Sequence, residues 1–259
     1  MSAVESTDPV LCEERDGVLV ITLNRPQAKN AVDQALAQGL ADALDQLDER
    51  DELRVGVLTG AGGTFCAGMD LKAFLSGEVP IIEGRGLGGL TERPPRKPLV
   101  AAVEGWALAG GFELMLACDL VVAARTARFG VPEVKRALVA GAGAALRLPD
   151  RVPLPIALEL LLTGDPIDAD RAAALGLVNR LTDEGGALEG ALAMAATIAA
   201  NGPLAVAVTK QIARSSGDWA GDEAWTRQDE LMQPVFGSED ATEGATAFAE
   251  KRDPVWKGR

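Results

Sequence analysis

The chain has 259 residues, 47% of them hydrophobic and 24% charged, which allows one large buried core with at most a small appendage. Its 38 acidic and 25 basic side chains give a net charge of −13, which argues against nucleic acid and anionic membrane surfaces as partners and asks a local basic rim of any anionic ligand. Histidine and tyrosine are absent, which excludes Ser-His-Asp and Cys-His catalysis, the commonest metal ligand and a phenolic acid.

Chemistry on this chain therefore falls to carboxylates, Lys, Arg, Ser, Thr, Cys or backbone groups. The N-terminal MSAVESTDPVL is short and acidic, unlike a secretory or Arg-rich transit segment, and no apolar run reaches the length of a membrane span. Cys12, Cys66 and Cys118 share no metal-ligand spacing and read as reduced thiols, two of them packed, so a cytoplasmic location is expected. Val18–Leu23 (VLVITL) has the composition of a buried strand and stops at the turn Asn24-Arg25-Pro26. Val32, Leu36, Leu40, Ala43, Leu44 and Leu47 are spaced for a helix over 30–47. A second short strand, 55–59, closes on GAGG, and 67–70 (AGMD) makes a tight turn into a helix at Leu71, with Asp70 as its natural N-cap.

The stretch 76–98 is rich in Gly and Pro and reads as an irregular, substrate-facing loop. Within it Gly84, Gly86 and Gly89 match G-x-G-x-x-G, but no helix follows, so the dinucleotide fingerprint lacks its context. Strands at 100–103 and 120–124 come next. Beyond Pro149 the texture turns to Ala- and Leu-rich helices at 155–163, 169–175, 187–200 and 203–215, then a helical 222–248 interrupted at Pro234. Short strands alternating with helices predict an α/β fold that is not a clean βαβ repeat, with a core over 1–190 and a helical portion over 191–259.

Two carboxylates stand out. Gly110 and Gly111 open the helix-forming run FELMLA, so they stand at a helix N-terminus, where free N–H groups favour negative charge. The pair reads either as tight strand-to-helix packing or as an oxyanion donor at Gly110. Glu113 reads as a first-turn dipole partner or, if buried, as an acid/base with a raised pKa. Glu133, after Pro132, reads as a solvated helix start or as a second working carboxylate. The Met69 N–H is the second candidate donor.

These segments in this order resemble the crotonase superfamily, the enoyl-CoA hydratase/isomerase group, over essentially the full length. The resemblance rests on LNRPQAKNAV (23–32), FCAGMDLK (65–72), WALAGGFELMLACDL (106–120), FGVPEV (129–134), LLTGDPIDADRAAALGLVNRL (161–181) and EKRDPVW (250–256). It implies a crotonase-like spiral of ββα repeats with a helical C-terminal trimerisation region, in a homotrimer or a homohexamer of two trimers. It also implies an acyl-CoA thioester substrate, with coenzyme A entering only as part of that substrate and no metal or other cofactor.

By the same resemblance, Lys29, Ala31, Ala67, Gly68, Met69, Asp70, Leu71 and Lys72 would hold the CoA part, with Trp106, Gly111 and Pro132 also facing the substrate. Met69 and Gly110 N–H groups would bind the thioester oxygen, Glu113 would orient water and accept its proton, and Glu133 would manage the proton at Cα. The implied activity is hydration of a 2-enoyl-CoA. Isomerase, decarboxylase or thioester hydrolase chemistry on the same scaffold is the nearest alternative, and a non-catalytic acyl-CoA binder needs neither glutamate.

Departures from the hydratase pattern are Ala109 and Phe112 where Gly and Cys are frequent, Lys135 and Arg136 where an apolar stretch is common, and Ala140 for proline. The GFELMLA and LRLP pieces resemble the carnitinyl-CoA dehydratase branch, whose substrate is a charged-tail enoyl-CoA.

Overall fold

The computed structural model describes residues 7–259, so most of the acidic N-terminal segment lies outside the described residues. Strand β1 (Val10–Arg15) pairs antiparallel with β2 (Val18–Leu23) across the Asp16-Gly17 turn, an Asp-Gly hairpin signal. From β2 the sheet continues in parallel through β3 (Val55–Gly60), β6 (Leu99–Val103), β8 (Leu120–Ala124) and β11 (Arg180–Thr182). Its inner strands β2, β3, β6 and β8 read as mostly apolar runs because both faces are covered. Leu19, Ile21, Leu58, Ala101 and Val103 pack with Leu36, Leu40, Leu44 and Leu47 of α1 (Gln34–Glu49). Val18, Val55, Val57, Val100 and Val122 pack against Ala187, Ala191 and Met194 of α7 (Ala187–Ala199). The expected boundary at residue 190 thus falls inside a helix that packs on the sheet.

A second, three-stranded sheet sets the site. It holds β7 (Trp106–Leu108), β9 (Arg128–Gly130) and β10 (Ile167–Asp168). Strand β6 leads into β7 and then α3 (Gly110–Ala117); β8 leads into β9 and then a 3₁₀ turn, Pro132–Arg136. The two ββα turns deliver Glu113 and Glu133 to neighbouring places. The 76–98 stretch contains a small hairpin of β4 (Ile81–Ile82) and β5 (Gly86–Leu87) rather than a wholly irregular loop.

Helix α1 starts four residues later than the apolar spacing predicts. Asn30 is fully buried in a left-handed conformation; its amide donates to the Ala61 and Thr64 carbonyls (2.9 and 2.6 Å) and its Oδ1 accepts from the Arg25 N–H (2.9 Å). Val32 then bridges Met69, and only Asp33 caps the helix, accepting from the Leu36 N–H. These long-range bonds outweigh helical periodicity.

Beyond α7, α8 (Pro203–Ser215) is tied to the core by Lys210 and Arg214, which pair with Asp119 at 2.6 and 2.7 Å. Helix α9 (Ala224–Phe236) runs through Pro234, and the break falls instead at Gly237, where Ser238 caps α10 (Glu239–Glu250). Trp225, Phe236 and Phe248 on these helices are exposed. Cys66 and Cys118 are buried and Cys12 is exposed. Among the described residues no single helix is long and apolar enough to cross a membrane.

Candidate active site

The backbone around Gly110 is held by packing that only glycine permits. Segment 65–68 runs beside β7, with the Cys66 N–H donating to the Trp106 carbonyl (2.9 Å) and the Leu108 N–H to Cys66 (3.0 Å). A methyl on Gly111 would stand 2.1 Å from the Cys66 carbonyl oxygen, so the close-packing reading holds for that glycine. Gly110 is different. A Cβ there would lie 3.5 Å from the Met69 nitrogen, so the two N–H groups are neighbours. Among the described residues neither N–H has a hydrogen-bond acceptor. Ala109, the N-cap of α3, has φ 52° and ψ −129°, a strained conformation for a residue with a Cβ, and it turns the chain so that Gly110 begins the helix.

Met69 and Gly110 open into a cavity of about 520 Å³, together with Glu113 and Glu133. Its other walls are largely apolar, with Leu71, Phe74, Ile81, Leu87, Leu138 and Val139, and carry the charged Glu92 and Arg136. A larger space of about 820 Å³ lies between α8 and the end of α3, around Asp119, Lys210 and Arg214. There the cations are engaged with Asp119 and with the carbonyls of Ala117, Pro95 and Lys97, which reads as tying α8 to the core.

The two carboxylates are unequal. Glu113 is 3% exposed, and its Oε1 accepts from the Ala144 N–H at 3.0 Å. Burial pushes its pKa up, while the Ala144 and Ala142 N–H groups and the Arg147 charge pull it down. Among the described residues, Glu133 Oε2 is buried without a hydrogen-bond partner. Burial pushes this carboxyl up to about 7, its own N–H opposes that, the neighbouring Glu113 adds to it and Arg136 opposes it. At neutral pH the site therefore holds one carboxyl near the midpoint of its titration beside one with fixed donors.

A raised carboxyl pKa means that folding is favoured most below the ordinary value near 4.5, and that this contribution is lost as pH rises through about 7. Glu133→Gln removes the cost of ionising that side chain. The melting temperature of the variant relative to the parent is expected to climb between about pH 5 and about pH 8. A difference independent of pH would show that Glu133 ionises as freely in the folded chain as in the unfolded one.

Of the residues expected at the site, Ala67, Met69, Leu71, Gly110, Glu113, Pro132 and Glu133 line the cavity. Lys29, Ala31, Gly68, Asp70, Lys72 and Gly111 are not part of its wall. The Lys29 carbonyl accepts from the Ala67 N–H (3.0 Å), and the Ala31 carbonyl accepts from Arg25. Asp70 caps α2 (Leu71–Leu75) and pairs with Arg25 at 3.1 Å, so its capping reading holds. Trp106 is 40% exposed on β7 and is not part of the cavity wall; Leu108, two residues on, is. Leu87, Ala144 and Arg147 were not legible in the motifs, because a wall and a second-segment donor leave no spacing signature. Among the described residues no group of three or more His, Cys, Asp and Glu is arranged to hold a metal.

Residues 13–259 match the family model described as enoyl-CoA hydratase/isomerase. Across all of both chains the sequence is 40% identical to "Enoyl-CoA hydratase EchA19" of Mycobacterium tuberculosis. It is 42% identical to a carnitinyl-CoA dehydratase of Citrobacter koseri, covering 93% of this chain and 95% of that one. A crystal structure of an enoyl-CoA hydratase from Mycobacterium tuberculosis H37Rv superposes with a TM-score of 0.96 at 60% identity, covering 97% of this chain and 100% of that one.

Proposed function

The chain belongs to the enoyl-CoA hydratase/isomerase family, and on that premise we propose that its cavity adds water to the 2-enoyl double bond of a CoA thioester. The observation that carries this reading is the meeting of two acceptor-free N–H groups and two carboxylates, one with a strongly raised pKa, in one apolar cavity. The thioester oxygen accepts from the Met69 and Gly110 N–H groups, which draws electrons from Cβ and stabilises the enolate that follows. Each such donor contributes about 3–4 kcal/mol to the transition state.

Ionised Glu113 takes a proton from water as the hydroxyl bonds to Cβ. Protonated Glu133 gives its proton to Cα, and the thioester carbonyl re-forms. Proton exchange with solvent restores both carboxyls, and each step reverses for dehydration. A Glu133 carboxyl near pH 7 suits a group that must hold a proton at one moment and release it the next. Lys29, Ala31 and 67–72 hold the CoA portion in this reading. A homotrimer or a hexamer of two trimers and a cytoplasmic setting belong to the same proposal.

Hydration of crotonyl-CoA, followed as loss of the conjugated enoyl-thioester absorbance, is the expected activity. Absence of turnover with the thioester still bound would withdraw the simple hydratase reading. It would favour the second one, a dehydratase of a charged-tail enoyl-CoA, for which the 42%-identical relatives and the Glu92 side of the cavity wall speak.

A further inference from the structure

Arg147 joins three walls of the cavity. Its Nη2 donates to the Thr91 carbonyl, and Thr91 Oγ1 accepts from the N–H of Leu87, the apolar wall residue (2.9 Å). Nη1 donates to the Ala142 carbonyl at 3.5 Å. It passes under Gly143, where a Cβ would come within 2.0 Å of it, so the absence of a side chain at 143 is what admits the guanidinium. Gly143 caps α4 (Ala144–Arg151), and the first N–H of that helix is the one held by Glu113.

This placement is costly for a cation. It stands at the N-terminal end of a helix, where the dipole opposes positive charge. It is half-buried, and among the described residues it forms no ion pair. Bracing two carbonyls calls for donors, not for charge. Burial and the Arg214 charge disfavour the cation, and Glu113, seated on the same helix end, opposes them in part.

Of the other charged or titratable groups near the pair, Glu92 lines the same cavity and Arg151 stands one turn on in α4. Glu133, on the 3₁₀ turn, carries the same sign as Glu113; Arg136 acts on Glu133. Cys118, which caps the end of α3, is a buried thiol pushed up to about 12, and Arg214 in α8 is engaged with Asp119.

We propose that Arg147 is a positioning residue for the hydration step: its charge keeps Glu113 ionised inside the cavity, and its bridge to Thr91 and Ala142 holds the Leu87 wall and the 141–144 segment against that carboxylate. The inference rests on the reading of Glu113 as the base.

Its test is kcat and KM for crotonyl-CoA from about pH 5 to about pH 9 in the parent, Arg147→Gln and Arg147→Lys, each with a melting curve. Gln keeps donors for the carbonyls but not the charge. The acid limb of kcat/KM is expected to move to higher pH, with kcat at neutral pH falling and KM little changed. Lys restores the limb but not the full kcat, because one ammonium cannot span both carbonyls as the guanidinium does.

A folded Arg147→Gln protein with an unmoved acid limb overturns the proposal and leaves Arg147 a brace. Should that variant fail to fold, Arg147→Lys decides: a limb displaced upward although the charge is retained overturns the proposal as well. Full activity in Glu113→Gln would instead remove the reading beneath it, whatever Arg147 does.

Discussion

Glu113→Gln is expected to hydrate crotonyl-CoA about 10²–10⁴-fold more slowly than the parent while binding the thioester with little change, the loss appearing in kcat rather than KM. The substitution keeps the shape of the side chain, and an amide oxygen can still accept from the Ala144 N–H at the position now held by Oε1. The donors at Met69 and Gly110 and the apolar walls are untouched, so the ground-state contacts survive. What disappears is a group able to take a proton from water. The expected loss corresponds to about 2.7–5.5 kcal/mol of transition-state stabilisation.

Folding should not suffer, because Glu113 is a buried carboxyl whose ionisation opposes burial. A melting temperature at or above that of the parent is therefore part of the expected result. Unchanged kcat in a folded Glu113→Gln protein would remove the two-carboxylate mechanism and leave only the backbone donors in place. Thioester binding measured on the same variant separates loss of chemistry from loss of the cavity.

The parts of the fold that are legible in sequence are those governed by near-neighbour chemistry. Val18–Leu23 reads as a strand because both its faces are covered, and Asp70 reads as a cap because its oxygen meets the N–H groups of Lys72 and Ala73. The start of α1 is misplaced because the buried amide of Asn30 answers to Ala61 and Thr64, more than thirty residues away, and no periodicity records such a bond. The break expected at Pro234 moves to Gly237 because Ser238 caps the next helix. At the site, Gly110, Glu113 and Glu133 stand in compact motifs and can be picked out. Leu87 and Ala144 act through packing and one backbone bond, and Trp106, at the start of its motif, is exposed and not part of the cavity wall.

The second large effect separates a backbone donor from the glycine that carries it. Gly110 is the first residue of α3, and its N–H has no acceptor among the described residues. Proline is tolerated at the first helical position because that N–H is not needed by the helix. Gly110→Pro therefore removes the proposed oxyanion donor, and Gly110→Ala retains it. Both introduce a Cβ 2.5 Å from Leu87 Cδ2, the far end of a flexible side chain, so that part of the crowding is shared, while the proline Cδ also takes the place of the N–H hydrogen. Ala109, at ψ −129°, already lies outside the helical region that a following proline disfavours. With crotonyl-CoA, kcat is expected to be about 10²–10³-fold lower for the proline variant than for the alanine variant, at similar melting temperatures. The loss belongs in kcat because the donor acts most strongly on the charge that develops at the thioester oxygen. Equal kcat in the two variants, both folded, would show that the Gly110 N–H does not bind that charge and would leave the glycine explained by packing alone.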